Sequence, residues 1–192
     1  MVYNENINPA ALQLLSFIRS SNDKPISVLE LGCWTGALGR YCLSQHDFIS
    51  KWQGFERDKK AFSLALERLT SVIHIDLDTP RFYETLAYSG FHDVVLLVDV
   101  FEHLSDPFSF LTKLSELKNF QYLILILPNI GYHQVFYKLS KGEFSYEENG
   151  ILNKTHKYFF TPKSIIRLAS QFSLSIFHEP IYLQNNQLCC FR

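Results

Sequence analysis

Asp99, Glu102 and His103 stand together in the run Asp99-Val100-Phe101-Glu102-His103-Leu104. Their spacing is i, i+3, i+4, so a single helical turn would put all three on one face. Two carboxylates and an imidazole suit a divalent cation such as Mg²⁺ or Mn²⁺. A cation held there can bind a substrate hydroxyl and lower its pKa, generating an oxygen nucleophile. The same residues also suit metal-free chemistry, with His103 as a general base oriented by Glu102. A hydrogen-bonded structural histidine is the plain alternative.

A second group of residues reads as a nucleotide-like binding edge. Val28-Leu29-Glu30-Leu31-Gly32-Cys33-Trp34-Thr35-Gly36-Ala37-Leu38-Gly39 is an apolar run that breaks into three glycines. It predicts a buried parallel strand, a tight turn and a helix start. Glycine lets such a turn adopt conformations closed to other residues and come close to a ligand. Acids then recur at successive strand ends, at Glu30, Glu56 and Asp76, the last followed by Leu77 and Asp78. A carboxylate at Glu56 can accept both hydroxyl hydrogens of a ribose. One at Asp76 can accept from an exocyclic adenine amine. Each acid alone is equally a solvated or capping residue, but three in order after a glycine turn make a pattern.

These residues need elements to place them, and the hydropathy pattern supplies strands and helices in alternation. Leu12, Leu15 and Ile18 share a face of a helix over Pro9 to Arg19. Strands are predicted at 26–31, 52–55, 72–75, 93–98 and 122–127, and two closing strands at 173–177 and about 187–191. Helices are predicted from Gly36 to about Gln45, after Asp58 with Ala61, Phe62, Ala65, Leu66 and Leu69 inward, and after Asp106-Pro107 with Phe110, Leu111, Leu114 and Leu117 inward. Thr161-Pro162 starts another, with Ile165, Ile166 and Ala169 inward. Alternating strands and helices imply right-handed crossovers and a parallel sheet. Ligands of such sheets bind at the carboxyl ends of the strands, where strand order reverses.

The stretch from Pro128 to Thr161 is too long for a plain connection. It mixes aromatic and basic residues, among them Tyr132, His133, Phe136, Lys138, Tyr146 and Lys157. It reads as a substrate cover holding one short helix, Tyr132 to Leu139. The chain is expected to form a single domain over 1–192, with a covering helix in 1–24 and the cover insertion at 128–161.

Composition narrows the function classes. The 192 residues are 47% hydrophobic and 19% charged, which is globular rather than disordered. With 18 basic and 19 acidic residues the net charge is −1, so no nucleic-acid partner is expected. No apolar run approaches a membrane span, and residues 1–6 show no basic region followed by an apolar core, so no leader is expected. Cys33, Cys42, Cys189 and Cys190 form no C-x-x-C pair and no zinc spacing. A reduced, cytoplasmic protein is the simplest expectation, and the adjacent Cys189 and Cys190 read as strand filling.

The glycine turn, Glu-x-Gly-x-Trp-x-Gly, resembles the first motif of class I S-adenosylmethionine (SAM) methyltransferases. Phe91-His92-Asp93-Val94-Val95 followed by Asp99-Val100-Phe101-Glu102-His103-Leu104 is similar to a later segment of the same superfamily. Leu127-Pro128-Asn129-Ile130, Gly142-Glu143-Phe144-Ser145-Tyr146 and Gly150 to His156 resemble a branch associated with surface-glycan synthesis. The resemblance runs from about Ile26 to Ile166, with its motifs in family order. It implies a Rossmann-like α/β fold, a mostly parallel seven-stranded sheet with helices on both faces and an antiparallel last strand. It implies SAM as cofactor: Gly32 and Gly36 near the methionine and ribose, Glu30 orienting the loop, Glu56 on the ribose, Asp76 on the adenine amine with Leu77 beside the ring, and Asp99 near the methionine amino group or the reacting centre.

Ubiquinone-biosynthesis O-methyltransferases and small-RNA 2′-O-methyltransferases are similar at acid-x-x-Glu-His followed by a distant histidine. That resemblance adds His156 to Asp99, Glu102 and His103 as a metal set. The implied activity is methyl transfer to a small-molecule or glycan-linked acceptor, most simply at oxygen, with Asp99, Glu102 and His103 as the catalytic group. RNA 2′-O-methylation fits the acid and histidine pattern but not the charge. Trp34 is a departure, because it occupies the middle glycine of the motif. A position needing positive φ would be strained by tryptophan, and a catalytically silent methyltransferase-like partner protein is the rival this raises. Whether the protein forms a homodimer is left open by the residues.

Overall fold

The computed structural model describes residues 7–21, 23–172, 174–178 and 190–191. Helix α1 (Pro9–Ser20) is capped by Asn8, whose side chain accepts from the N–H groups of Ala10 and Ala11. Then follow β1 (Ile26–Leu31), α2 (Ala37–Gln45), β2 (Ile49–Glu56), α3 (Lys59–Leu66), β3 (Ser71–His74), α4 (Pro80–Tyr88) and β4 (His92–Val98). A 3₁₀ turn at Phe101–His103 leads into α5 (Pro107–Leu117), β5 (Phe120–Ile126), α6 (His133–Ser140), α7 (Pro162–Gln171), β6 (Ile176–His178) and β7 (Cys190–Phe191). Helices α1, α4, α5 and α7 all carry Pro in the first turn, where its missing N–H costs nothing and its φ is already helical.

The strands form one seven-stranded sheet in the order β3-β2-β1-β4-β5-β7-β6. The five strands from β3 to β5 pair in parallel, and β7 is antiparallel to both its neighbours. Alternate residues of each buried strand feed opposite faces. Val28, Val94 and Leu96 join a core made with α1, α2 and α3. Leu29, Leu31, Val95 and Leu97 join a second core with α4, α5 and α7. The expected doubly covered α/β fold with an antiparallel last strand is the fold observed.

Several details differ from the sequence reading, each for a physical reason. The stretch Pro80–Tyr88, to which the hydropathy pattern assigns no element, is α4, which buries only Phe82 and Leu86 and so shows a thin apolar stripe. Strand β2 begins three residues earlier than expected, because alternation of exposed and buried positions hides its first half. Leu66, expected inward, is exposed at the end of α3, while Leu69 folds back into the core. In α7 Ile165 and Ala169 face inward as expected and Leu168 joins them, while Ile166 is half-buried. The cover helix is shifted one residue, to His133–Ser140. For the closing strands, Ser173 and Gln187–Cys189 lie outside the described residues, and so does half of the Cys189–Cys190 pair. Cys33 and Cys42 are free, buried thiols. Among the described residues, no helix is long and apolar enough to cross a membrane.

Candidate functional site

The turn from β1 to α2 is held against β2 by its backbone. Gly32 and Cys33 both donate their N–H to Phe55 O, at 2.8 and 3.0 Å. Trp34 donates its N–H to Glu56 Oε2 at 2.8 Å, and Asp58 donates its own to Glu56 Oε1 at 2.7 Å. One buried carboxylate therefore ties the turn to the start of α3. Three residues of the turn have positive φ: Gly32 at 78°, Trp34 at 50° and Gly36 at 74°. The motif's middle position thus does require the left-handed region, and tryptophan occupies it with strain. At Gly32 a Cβ would lie 2.6 Å from Val100 Cγ2, so the turn can approach β4 only without a side chain. Gly36 instead faces Ala65 and Leu69 of the α3 region.

Beside this turn, at the carboxyl ends of the strands, lies a cavity of about 390 Å³. Of the expected cofactor residues, Gly32, Glu56, Asp76 and Leu77 line it, and so does His103. Trp34, Arg57, Asp58, Asp78, Val100 and Thr155 complete the polar and upper wall. Trp34 is 43% exposed and lines the cavity, so its indole does not pack in the core. Arg57 approaches Asp76 at 3.8 Å, an exposed pair of little energetic weight.

Glu30 and Gly36 are not in the cavity wall. Glu30 is 4% exposed and accepts a hydrogen bond from Trp52 Nε1 at 2.8 Å. Its carboxylate serves the indole donor of β2, which would otherwise be orphaned, and not the backbone of the turn. Burial raises its pKa from 4.5 to about 8, the Trp52 bond opposes this, and Glu56 adds to it. This partnership was invisible in the sequence, because Glu30 and Trp52 meet only through the pairing of β1 with β2.

A second cluster sits beside the cavity. Glu102, His103 and His156 each present a ligand atom, all within 4.8 Å of one another. Glu102 is 1% exposed and neither carboxylate oxygen has a hydrogen-bond partner. Burial, with the nearby charge of Asp99, raises its pKa to about 8. His156 Nε2 lies 3.8 Å from Glu102 Oε1, and the rings of His103 and His156 meet edge to face at 4.8 Å. His103 Nδ1 bonds to Thr155 O at 3.1 Å and His156 Nδ1 bonds to Ile151 O at 2.9 Å. A carbonyl only accepts, so each ring carries its proton on Nδ1 and leaves a lone pair on Nε2. Burial lowers the pKa of both histidines, which keeps those lone pairs free at neutral pH.

Asp99 is not in this cluster. The segment makes a 3₁₀ turn that begins only at Phe101, and Asp99 precedes it with φ 51°, exposed at the end of β4. An i, i+3, i+4 spacing gathers three side chains only on a full α-turn, which the chain does not make here. His156 is brought in from 53 residues downstream of His103, a contact that spacing within the first segment could not reveal.

The chain matches a family model described as a methyltransferase domain over residues 3–179. No curated protein matches it. Among solved structures, its fold is similar to the methyltransferase domain of bacterial CtHen1-CN, at 18% identity and TM-score 0.62, covering 97% of this chain and 99% of that one. It is also similar to the small RNA methyltransferase HEN1, at 14% identity and TM-score 0.66, covering 100% of this chain and 26% of that one. The plantazolicin methyltransferase BamL, solved with a triazolic desmethylPZN analogue and S-adenosylhomocysteine (SAH), is similar at 21% identity and TM-score 0.65, over 85% of this chain and 60% of that one. The family match covers nearly the whole chain and the glycine turn, strand-end acids and cavity stand where a nucleoside cofactor binds in this fold, so the chain belongs to the methyltransferase-domain family and is an enzyme of the class I SAM-dependent superfamily.

Proposed function

We propose that this chain transfers the methyl group of SAM to an oxygen of a small-molecule or glycan-linked acceptor, with Glu102, His103 and His156 holding a divalent cation beside the cofactor cavity. The observation that carries the reading is the buried carboxylate of Glu102, both oxygens without a partner, facing two imidazoles whose lone pairs are free. A buried carboxyl with neither oxygen partnered is costly in either protonation state, and a cation, which would displace its proton, is the ligand that one carboxylate and two Nε2 atoms fit.

Each residue then has a task. Gly32 lets the turn come close to the donor. Glu56 keeps the turn in place and offers its carboxylate edge to the ribose. Asp76 and Leu77 take the adenine edge and face. Asp99, next to Val100 of the cavity wall, offers a carboxylate to the donor's amino group. SAM supplies the sulfonium methyl as electrophile, and the protein's task is to align an acceptor oxygen for in-line attack. The cation would supply a Lewis acid that lowers the pKa of the acceptor hydroxyl. His103 stands in both the cluster and the cavity wall, which supports an acceptor oxygen bound between them.

His103 also supports a second reading, as a metal-free general base, because its ring is held neutral at pH 7 and borders the cavity. Methyl transfer from labelled SAM to a panel of glycan, phenol and RNA acceptors, with Mn²⁺ or with chelator, separates the readings. Activity that needs Mn²⁺ and is lost in Glu102→Gln supports the cation. Full activity in chelator leaves His103 as base and removes the cation from the reaction. Turnover confined to RNA, with steep salt dependence, would move the acceptor to a ribose hydroxyl.

A further inference from the structure

Residues Thr155–Tyr158 form a strap that touches both sites at once. Thr155 lines the cofactor cavity and its carbonyl holds His103 Nδ1 at 3.1 Å. His156 belongs to the cation cluster. The N–H groups of Lys157 and Tyr158 both donate to Glu102 O, at 2.9 and 3.3 Å. Tyr158 Oη donates to Ser105 O at 3.2 Å, and Lys157 Nζ donates to Ser105 Oγ at 2.9 Å. Lys157 Nζ also lies 3.8 Å from Asp78 Oδ2. Asp78, itself in the cavity wall, accepts from the N–H and O–H of Ser105, each at 2.9 Å.

The strap is therefore fastened at one end to the cation ligands and at the other to the adenine side of the cavity. Displacing it would take a wall from the cavity, the carbonyl from His103 and the imidazole of His156 from the cluster in one movement. A ligand that binds only the fastened arrangement favours it for the other ligand as well, and by the same factor.

We propose that cofactor and divalent cation bind this chain with positive coupling carried by the Thr155–Tyr158 strap, and that Lys157 is the positioning residue that transmits it through Ser105 and Asp78. This rests on the reading of Glu102, His103 and His156 as a cation site. The Lys157 ammonium bonds to Ser105 and lies near Asp78, while only its backbone N–H bonds to Glu102, at the main-chain carbonyl. Its side chain is 48% exposed, so its removal leaves the cores intact.

The test is calorimetric titration of Mn²⁺ into the full chain, alone and saturated with SAH, and of SAH with and without saturating Mn²⁺. In the wild type the Kd of each ligand is expected to fall about tenfold when the other is present, within the usual range of coupling between sites. In Lys157→Met the factor is expected to drop below about twofold while each ligand still binds alone and the melting temperature holds; Lys157→Arg should restore it. Unequal affinities without coupling in the wild type, each ligand indifferent to the other, would overturn the inference and leave the cation site standing. Undiminished coupling in Lys157→Met would overturn the role of Lys157. No binding of Mn²⁺ in either condition would overturn the cation site and the inference together.

Discussion

The indole of Trp52 donates to the carboxylate of Glu30 across the pairing of β2 with β1, at 2.8 Å and out of reach of water. The folded chain holds the Glu30 proton up to about pH 8, whereas an unfolded chain releases it near 4.5. Folded protein thus binds the extra proton between these values, so the Glu30 contribution to stability is fullest below pH 4.5 and is lost as pH rises to about 8. Glu30→Gln keeps an acceptor for Trp52 and removes the titration. Thermal melts of the two proteins should lie close at pH 5, and the variant should melt several degrees higher at pH 9. Parallel curves across that range would show that Glu30 does not carry this dependence.

Glu56 receives two backbone N–H groups, from Trp34 and Asp58. Alanine there removes the acceptor of both part-buried N–H groups, at about 1 kcal/mol each. Glu56→Ala is expected to lower the melting temperature by several degrees and weaken SAH binding more than tenfold. Glu56→Gln, which keeps one acceptor oxygen, should fall between. Calorimetry and melting curves on the same preparations give both numbers.

Gly32 combines φ of 78° with a Cβ position 2.6 Å from Val100 Cγ2. Gly32→Ala meets both the left-handed penalty and the overlap, together about 3 kcal/mol. Adding Val100→Ala removes the overlap and leaves the backbone penalty. The double variant is expected to recover roughly half of the lost stability in chemical denaturation. Recovery of all of it would show that the backbone conformation carries no cost.

Trp34 has φ of 50° and lines the cavity mouth. Trp34→Gly takes the same conformation without strain, but loses the indole wall and gains freedom in the unfolded chain. Stability should change by less than about 1 kcal/mol, because these effects oppose one another. SAH affinity should fall about fivefold, equivalent to losing roughly 40 Å² of apolar contact. Tighter binding by the glycine variant would mean that the indole obstructs the site.

The fold was legible where a residue's neighbours in sequence decide its fate. Asp58, Asp106 and Thr161 cap helices through bonds that span two or three residues, and each is readable as a start signal. The cavity residues Glu56, Asp76 and Leu77 follow from their position at strand ends. What the sequence could not provide were distant partners and local departures from ideal geometry. Glu30 with Trp52 needs the register of two strands. Asp99 leaves the cluster because the turn after β4 is 3₁₀ and starts late, a backbone choice that spacing does not encode. His156 was reached through a family pattern, since the residues of one segment do not say which distant histidine folds onto them.

Helix α6 has eight residues, and only Val135 is buried. Phe136, Tyr137 and Leu139 face solvent, with Phe144 and Tyr146 close behind. A helix this short holds together through tertiary anchoring alone, and one anchor is little. Its backbone amides will exchange with deuterium at free energies far below that of global unfolding, while those of β1 and β4 will wait for the whole domain to open. Helix α6 and the sheet therefore keep different clocks, the helix opening many times for each opening of the strands.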